Sequence, residues 1–505
     1  MTFEPANSRR PRPYTEWMAT AALILANRAY LDHEVPRGAP EPSAAANGGL
    51  LAAVRPVIAP WDGHSGTTWI GAGRGTFDRD WVDSDGFELI PSFRGPVCHR
   101  RLFFDDETWA GHYGAVANSF LWPLLHLVRG PLPELTDYYP VPAAPTEVEW
   151  ASYKAVNVGF AEGGSGERAH PTAWVHDYQL ALVPSLLRDR GFPGRIGFFL
   201  HTPFPDLEVA SRYLGVAARG HFSEFVAGIL GADLAGFQSQ ADVRRFAHAA
   251  EELCGAVTDG ATLRFEGRCV SIGSYPVGVD VDELLAIAAD GPPPAGMESI
   301  VESGLPLVVG LERADFTKGI PERLRAIAAA YRGGAKFAYV GVAAPTRAGV
   351  SAYAGLAAAI QSAADEAANA AKDAGCLFLH TQAVLAWPEV IGLQRRADVV
   401  FTSSLADGLN LVPLQAAIAQ SLKPADRRAV IITGRDAGVA QAFAGFESDG
   451  LVPVDPLDHE AMTQALVEAL RGRPGRVSDR LVTAIRANDA FSWATRFLTD
   501  LERRC

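Results

Sequence analysis

The chain has 505 residues, of which 48% are hydrophobic and 20% are charged, and its formal net charge at pH 7 is −13. This length and composition predict a soluble protein with two large cores. They exclude a bundle of membrane-spanning helices, because no apolar run approaches the ~18–20 residues that one spanning helix needs. The acidic balance also argues against nucleic-acid binding, which requires a basic surface.

The N-terminal 13 residues carry charge without the apolar core of a secretory signal, so a cytoplasmic location is expected. The five cysteines are scattered and include no CxxC pair, which indicates neither a disulfide framework nor a zinc site. The expected partners are therefore small anionic ligands bound by local cations, with no nucleic acid and no membrane.

Short β-branched runs alternate with Ala- and Leu-rich segments of helical period along the chain. This alternation is typical of an α/β fold, in which helices cover a parallel sheet. The predicted strands are residues 21–26, 173–176, 195–200, 234–237, 305–311, 336–341, 376–379, 399–402 and 429–433. The predicted helices are residues 180–190, 239–254, 320–331, 349–371, 387–397 and 459–470.

Proline- and glycine-rich segments interrupt this alternation. Residues 291–296 read Gly-Pro-Pro-Pro-Ala-Gly and predict a linker, so the domain boundary is placed close to residues 280–300. Residues 36–47 and 162–170 are predicted to be irregular and mobile. The closing segment 489–504 has the apolar spacing of an amphipathic helix, for which we expect packing on the first domain.

Two polar segments in the first half follow predicted strands. Asp177 comes directly before a helix, so it is either an N-cap or a ligand contact. His201 ends an apolar strand and is followed by two nearby prolines, which prevent a helix from burying its imidazole. A histidine at a strand end is usually structural, but this one lies where a site would form.

Two further segments follow strands in the second half. Arg313 and Lys318 lie just after the apolar run 305–310, where parallel strands present ligands, and they suggest either an anion site or a surface ion pair with Glu312 or Asp315. Gly408 after Asp407 permits a close backbone approach at the start of a helix, although Asp-Gly is also a common turn.

Taken in order, these segments resemble the trehalose-6-phosphate synthases, which are retaining glycosyltransferases of GT-B architecture. The likeness runs through residues 27–28, 48–49, 118–123, 174–180, 197–205, 236–238, 275–278, 312–323, 345–347 and 407–412. It implies two Rossmann-like domains that face each other across a cleft. The implied division is an N-terminal tail (1–18), an acceptor domain (19–285), a nucleotide-sugar donor domain (286–475) and a C-terminal helical segment that crosses back (476–505).

The resemblance implies transfer of glucose from a nucleotide-glucose donor with no bound metal and no cofactor. Arg313 and Lys318 would then neutralise the departing diphosphate, helped by backbone N–H groups near Gly408. His201 and Asp407 would contact hydroxyls of the donor sugar. The other donor-binding residues implied are Gly48, Gly49, Asn410, Leu411 and Gln415.

The resemblance also implies a phosphorylated acceptor, with glucose 6-phosphate giving trehalose 6-phosphate as the first expectation. Arg28, Tyr113, Trp122 and Arg347 match the positions that surround this acceptor, and Asp177 matches a contact to its sugar. Considered singly, the tryptophan would be a core residue, the tyrosine a helix-surface residue and the arginines solvated. The matched catalytic set is Arg313, Lys318, His201 and Asp177.

The chain departs from the family pattern at three places, one of which is an unfamiliar stretch at residues 207–212 near the acceptor side. Gln415 replaces a glutamate that holds the ribose diol, and residues 433–439 read Thr-Gly-Arg-Asp-Ala-Gly-Val where the family has a different segment. These departures leave open another acceptor, such as glycerol 3-phosphate in the glucosylglycerol-phosphate synthase relatives, or a phosphorylated cyclitol or nucleoside. A non-catalytic sugar-phosphate-binding regulatory homologue is a third interpretation, and a homo-oligomer is compatible with each of them.

Overall fold

A computed structural model describes residues 22–38, 49–58, 66–92, 95–129, 138–167, 170–347, 350 and 353–503. These residues form two β-sheets, both covered by helices. The α/β class predicted from the sequence is therefore confirmed.

The first sheet has ten strands in the order β3-β4-β2-β1-β5-β6-β7-β10-β9-β8. Its central strands pair in parallel, and antiparallel pairing is confined to β3 at one edge and to β8 and β9 at the other. The strands are β1 (Leu23–Arg28), β2 (Thr68–Ala72), β3 (Phe87–Ile90), β4 (Val97–Leu102), β5 (Thr172–His176), β6 (Arg195–Phe199), β7 (Leu234–Phe237), β8 (Val257–Asp259), β9 (Thr262–Phe265) and β10 (Arg268–Ser274).

The second sheet has six strands, all parallel, in the order β13-β12-β11-β14-β15-β16. The chain order reverses between β11 and β14, and ligands of open α/β sheets bind in the crevice at such a reversal. The strands are β11 (Leu307–Arg313), β12 (Ala338–Ala344), β13 (Leu377–Thr381), β14 (Val399–Phe401), β15 (Val430–Gly434) and β16 (Leu451–Val454).

The helices of the first half surround the ten-stranded sheet. They are α1 (Gly49–Val54), α2 (Asp78–Trp81), α3 (Asp106–Trp109), α4 (Trp122–Leu125), α5 (Glu147–Gly166), α6 (Val183–Asp189), α7 (Leu207–Ser211), α8 (Val216–Ile229) and α9 (Gln240–Cys254). A π-helix, Ala110–Leu121, joins α3 to α4, and short 3₁₀ turns cover Arg55–Val57 and Tyr178–Leu180.

The helices of the second half are α10 (Val281–Asp290), α11 (Glu298–Val301), α12 (Ile320–Arg332), α13 (Ala354–Asp373), α14 (Trp387–Arg396), α15 (Val412–Gln420), α16 (Gly438–Ala442), α17 (His459–Leu470), α18 (Asp479–Ala487) and α19 (Ala490–Arg503). Three 3₁₀ turns, Phe316–Lys318, Ala425–Arg427 and Glu447–Asp449, lie between them. Within the described ranges, no helix has both the length and the apolar character needed to cross a membrane.

All nine predicted strands coincide with observed strands to within a few residues, and five of the six predicted helices do so as well. The helix predicted at residues 180–190 is split into a 3₁₀ turn and α6. The prediction of an irregular segment at 162–170 is wrong at its start, because α5 continues to Gly166. The glycines there serve packing: a Cβ on Gly163 would lie 3.4 Å from Leu102, so the helix lies close to the sheet.

The last helix, α19, packs on the ten-stranded sheet. Its Phe497 lies over two strand glycines, and a Cβ added to Gly197 or Gly236 would lie 2.7 Å from the Phe497 ring. Trp493 packs against Trp174 with their ring centroids 5.0 Å apart. The chain therefore returns to its first half after completing the second sheet.

The two halves of the chain also contact each other in the region between the two sheets. Arg129, which follows α4, forms ion pairs with Asp436 and, at 2.8 Å, with Asp455 on the second half. Helix α10 packs against α14 and α15, so the boundary predicted at 285/286 lies inside a helix that contacts the second half. The division at that residue stays a prediction.

Candidate active site

The carboxyl ends of strands from both sheets converge on one region between the two halves. Arg28 ends β1 and Asp177 directly follows β5. Across from them, Arg313 ends β11 and Lys318 closes the turn that follows it. The parallel topology therefore brings residues that are far apart in sequence to a shared crevice.

Arg347 and Trp122 form the centre of this region. The Arg347 guanidinium lies over the Trp122 ring, 3.8 Å from its centroid, although the two residues belong to different halves of the chain. Arg347 also donates to the Tyr353 hydroxyl at 2.6 Å and is paired with Asp315. A cation held on an aromatic face is well placed to bind a planar or anionic ligand group.

Asp315 is fully buried and uses both of its carboxylate oxygens. Its Oδ1 accepts from the Trp122 indole N–H and from the Thr317 backbone N–H, both at 3.2 Å, and its Oδ2 accepts from Arg347 and Tyr353. Burial opposes its ionisation, but the charges of Arg347 and Arg313 hold the pKa of Asp315 well below its usual range. The carboxylate is therefore an anionic hub that links the two halves.

Arg28 and Tyr113 lie beside this hub. Arg28 donates to the Tyr113 hydroxyl at 3.4 Å. Although burial opposes the phenolate, the positive charges of Arg28 and Arg347 lower the pKa of Tyr113 from its ordinary value. The four residues predicted to surround the acceptor thus lie together in the structure.

The π-helix explains why Tyr113 and Trp122 can share this region. Nine residues at 3.6 residues per turn of an α-helix make two and a half turns, which would place the two side chains on opposite faces. Hydrogen bonding from i to i+5 winds more residues into each turn, so nine residues span about two turns. The segment Ala110–Leu121 is π-helical, and it therefore points both side chains the same way.

Lys318 and Arg313 differ in their surroundings. The Lys318 ammonium is mostly buried and forms an ion pair with Asp407. The Arg313 residue is exposed, and across the described ranges its side chain has no hydrogen-bond or ion-pair partner. Neither cation pairs with Glu312 or Asp315, so the surface ion pair considered from the sequence is wrong. Arg313 still acts on Asp315 electrostatically, which places it close to the Arg347 region.

The turn that contains Asp407 and Gly408 approaches the first half very closely. A Cβ on Gly408 would lie 1.8 Å from the His201 carbonyl oxygen, so only glycine fits at this contact between the halves. The Ser404 hydroxyl donates to Asp407 at 3.2 Å and steadies the turn. Gly408 is thus more than an ordinary turn residue.

His201 has a neutral imidazole in this contact. Its Nε2 lies 3.1 Å from Nδ1 of the buried His176, and burial lowers the pKa of His201 to about 3. A neutral ring can donate one hydrogen bond to a sugar hydroxyl without adding a charge.

Asp177 is nine-tenths buried and adopts φ = 72°, a conformation that residues other than glycine rarely take. It stands at the N-cap position of the following 3₁₀ turn, but its side chain makes no capping hydrogen bond there. Its Oδ1 instead accepts from the His201 backbone N–H at 3.2 Å. Burial raises the pKa of Asp177 to about 7. Strain and a raised carboxyl pKa in one residue are typical of functional sites.

The remaining predicted residues are placed as follows. Asn410 is buried with φ = 67°, its amide donates to Ser404 at 3.0 Å, and Leu411 and Gln415 lie at the start of α15. Gly49 begins α1 and is exposed. Gly48 lies outside the described residues.

Sequence reasoning missed two residues of this site. Asp315 was considered only as a possible ion-pair partner, although a lone acid between Arg313 and Lys318 is itself a signal. Tyr353 carries no local signal, because its hydroxyl reaches Asp315 at 3.2 Å only in the folded chain. Among the described residues, no group of three or more His, Cys, Asp or Glu side chains is placed to hold a metal ion.

Comparison with known proteins agrees with the family resemblance found in the sequence. The family model of glycosyltransferase family 20 matches residues 43–503. An alpha,alpha-trehalose-phosphate synthase [UDP-forming] of Pichia angusta is 30% identical over 480 residues, which cover 90% of this chain and 92% of that protein.

Solved structures match over nearly the whole chain. A UDP-forming alpha,alpha-trehalose-phosphate synthase from Burkholderia xenovorans in complex with glucose-6-phosphate matches with a TM-score of 0.75 and 26% identity, covering 95% of this chain and all of that one. An E. coli structure bound with UDP-2-fluoro glucose matches with a TM-score of 0.74 over 96% of this chain and 99% of its own length. At 23% identity, that likeness concerns the fold, which is the predicted GT-B arrangement.

Proposed function

The chain belongs to glycosyltransferase family 20, and from that premise we propose that it transfers glucose from UDP-glucose to glucose 6-phosphate to give α,α-trehalose 6-phosphate. The observation that carries the proposal is the meeting of two cation sets in one crevice. Arg28 and Arg347 form one set beside Tyr113, and Arg313 and Lys318 form the other after β11. Two anionic substrates need two such sets.

The donor diphosphate is proposed to lie at the reversal point of the six-stranded sheet. Arg313 supplies an exposed guanidinium, and Lys318 supplies an ammonium that Asp407 holds in place. Negative charge grows on the diphosphate as the glucosyl bond breaks, and preorganised cations stabilise that charge most in a water-poor crevice. This role requires no metal ion, and we propose that the reaction proceeds without one.

The acceptor phosphate is proposed to lie between Arg28, Tyr113 and Arg347. Arg347 is already oriented by the Trp122 ring and by Asp315, so little reorganisation accompanies binding. Asp177 would accept a hydrogen bond from the acceptor sugar, and His201 would contact the donor sugar. The close approach of Gly408 to the His201 carbonyl supports this arrangement, because it brings the two halves together beside these residues.

The reaction is proposed to retain the anomeric configuration. Acceptor and leaving group then lie on the same face of the glucosyl ring, and a leaving phosphate oxygen takes the acceptor proton. The bond to the acceptor oxygen forms as the bond to the diphosphate breaks, so no enzyme carboxylate is needed as a nucleophile. The proposed location is the cytoplasm, because sugar phosphates do not cross membranes unaided.

A substrate panel tests this proposal. The purified chain is incubated with UDP-, ADP- and GDP-glucose, each with glucose 6-phosphate, glycerol 3-phosphate or a phosphorylated cyclitol, and products are identified by mass and anomeric coupling. We expect α,α-trehalose 6-phosphate from UDP-glucose and glucose 6-phosphate. Product from another acceptor alone would replace the proposed acceptor, and ligand binding without any product would favour a regulatory homologue.

A further inference from the structure

We propose that the buried ion pair between Glu312 and Arg323 is a positioning pair that holds Lys318 and Asp407 in register for the donor diphosphate. Both side chains are at most 1% exposed, so neither is accessible to a ligand. The inference deepens the proposed function and rests on it for the identity of the donor.

The sheet is built to admit the Arg323 guanidinium. Arg323 projects from α12 onto β11, where a Cβ on Gly310 would lie 2.8 Å from its Nε and 2.9 Å from its Cζ. Glycine in the middle of a strand weakens the strand, since it has no side chain to pack. Gly310 therefore makes room for a charge that the core would otherwise exclude.

Arg323 contacts the loop that follows β14 at the point where the strand ends. Its Nη1 donates to the Phe401 carbonyl at 3.1 Å and lies 3.4 Å from the Ser403 hydroxyl. Ser403 in turn lies within hydrogen-bond distance of the carbonyls of Lys318, at 2.9 Å, and Gly319, at 2.8 Å. One guanidinium thus connects the two loops that carry the predicted donor cation and its partner acid.

Glu312 continues the connection toward the crevice. One of its oxygens is paired with Arg323, and the other accepts from the Asn410 amide at 3.3 Å. That amide also donates to Ser404, whose hydroxyl donates to Asp407, the partner of Lys318. A continuous line of polar groups therefore runs from the core to the proposed diphosphate site.

The energetics favour positioning over stability as the purpose of this pair. A buried ion pair adds little net stability compared with apolar residues of similar volume, because desolvation opposes the Coulomb attraction. The pair does fix the geometry of everything hydrogen-bonded to it. Hydrogen bonds of this outer kind hold site residues within the narrow tolerance that a preorganised site needs.

The test is UDP binding by calorimetry without acceptor, together with donor and acceptor KM. The Glu312→Gln variant keeps the size of the side chain and removes its charge. We expect UDP affinity to fall by about 10–100-fold, the range found for outer hydrogen-bond partners at metal sites, with the KM for glucose 6-phosphate unchanged.

Glu322→Gln is the matched control. Glu322 is a buried glutamate on α12 that pairs with Arg325 at 3.0 Å and, among the described residues, forms no hydrogen bond or ion pair with either loop. The Glu322→Gln variant should bind UDP with the same affinity as the unmodified chain. If Glu312→Gln does not fold, the Ser404→Ala variant tests the proposal instead. It removes only the link between Asn410 and Asp407, and it should also lower the affinity for UDP.

The outcomes separate the two proposals. The positioning pair would be overturned if Glu312→Gln, or Ser404→Ala in its place, bound UDP as tightly as the control Glu322→Gln. Product formation by the unmodified chain would still support the proposed reaction. UDP binding that depends on Glu312 without any sugar product would support the pair and overturn the proposed reaction. No UDP binding by the unmodified chain would overturn both.

Discussion

The indole N–H of Trp122 donates to the Asp315 carboxylate at 3.2 Å, across 193 residues of sequence and between the two halves of the chain. Asp315 also pairs with Arg347, so one buried carboxylate holds two predicted acceptor residues, one from each half of the chain. This relationship links the arrangement of the halves to the arrangement of the proposed phosphate site.

Replacing Asp315 by Asn should therefore impair acceptor use selectively. The amide keeps the shape but loses the charge that orients Arg347, and breaking a buried charge pair costs about 2–5 kcal/mol. We expect the KM for glucose 6-phosphate to rise at least about tenfold, equivalent to about 1.4 kcal/mol, while the KM for UDP-glucose changes little. Initial-rate kinetics with each substrate varied in turn measure both values.

Asp455→Asn is the control for that variant. Asp455 also receives an arginine from the other half, Arg129 at 2.8 Å, but within the described residues it forms no hydrogen bond or ion pair with the predicted acceptor residues. The Asp455→Asn variant should leave the KM for glucose 6-phosphate unchanged. Equal increases for the two variants would mean that Asp315 acts only by holding the halves together.

Asp177 should make folding stability depend on pH. Its pKa is raised by burial to about 7, above the ordinary value of 3.8, so between these values the folded chain binds a proton that the unfolded chain does not. The contribution of Asp177 to stability is therefore present below about pH 4 and is lost as pH rises to about 7, by at most about 1.4 kcal/mol per unit.

The measurement is the free energy of unfolding in urea at pH 5 and pH 8 for the unmodified chain and for Asp177→Asn. The variant cannot ionise at this position, so its loss of stability between the two pH values should be smaller. An identical loss in both proteins would show that Asp177 titrates near its ordinary pKa.

Gln415→Glu should strengthen donor binding. A carboxylate accepts hydrogen bonds from a ribose diol through two charged oxygens, whereas the amide accepts through one neutral oxygen. We expect the Kd for UDP and the KM for UDP-glucose to fall together, and calorimetry with initial rates checks both. Unchanged values would remove Gln415 from the ribose site.

Much of this site follows from local sequence. Arg313, Lys318, Asp177 and His201 each follow a recognisable strand, and parallel topology alone brings strand ends together. The resemblance supplied Arg28, Tyr113, Trp122 and Arg347, which no local pattern identifies. Their meeting depends on the pairing of distant strands and on a π-helix, whose wider turn the spacing of apolar residues does not reveal.

Other features were beyond local reasoning for physical reasons. Gly163 and Gly164 of α5 look like a loop in sequence, yet they lie buried against Leu102 and Leu25, because close packing favours the absence of a side chain. The buried Arg323 looks like a solvated helix residue, and only the facing Gly310 shows why it can enter the core.

The central claim is that Arg313 stabilises the departing diphosphate, and kcat of Arg313→Met with UDP-glucose and glucose 6-phosphate tests it most directly. Arg313 is exposed, and within the described part of the chain its side chain forms no hydrogen bond or ion pair, so folding should be unaffected. Arg427→Met is the control, since Arg427 is exposed in the turn before β15, at the opposite end of the same sheet. We predict that kcat falls by about 10²–10³ for Arg313→Met with an unchanged thermal midpoint, while Arg427→Met remains fully active. A kcat for Arg313→Met equal to that of the control would contradict the account.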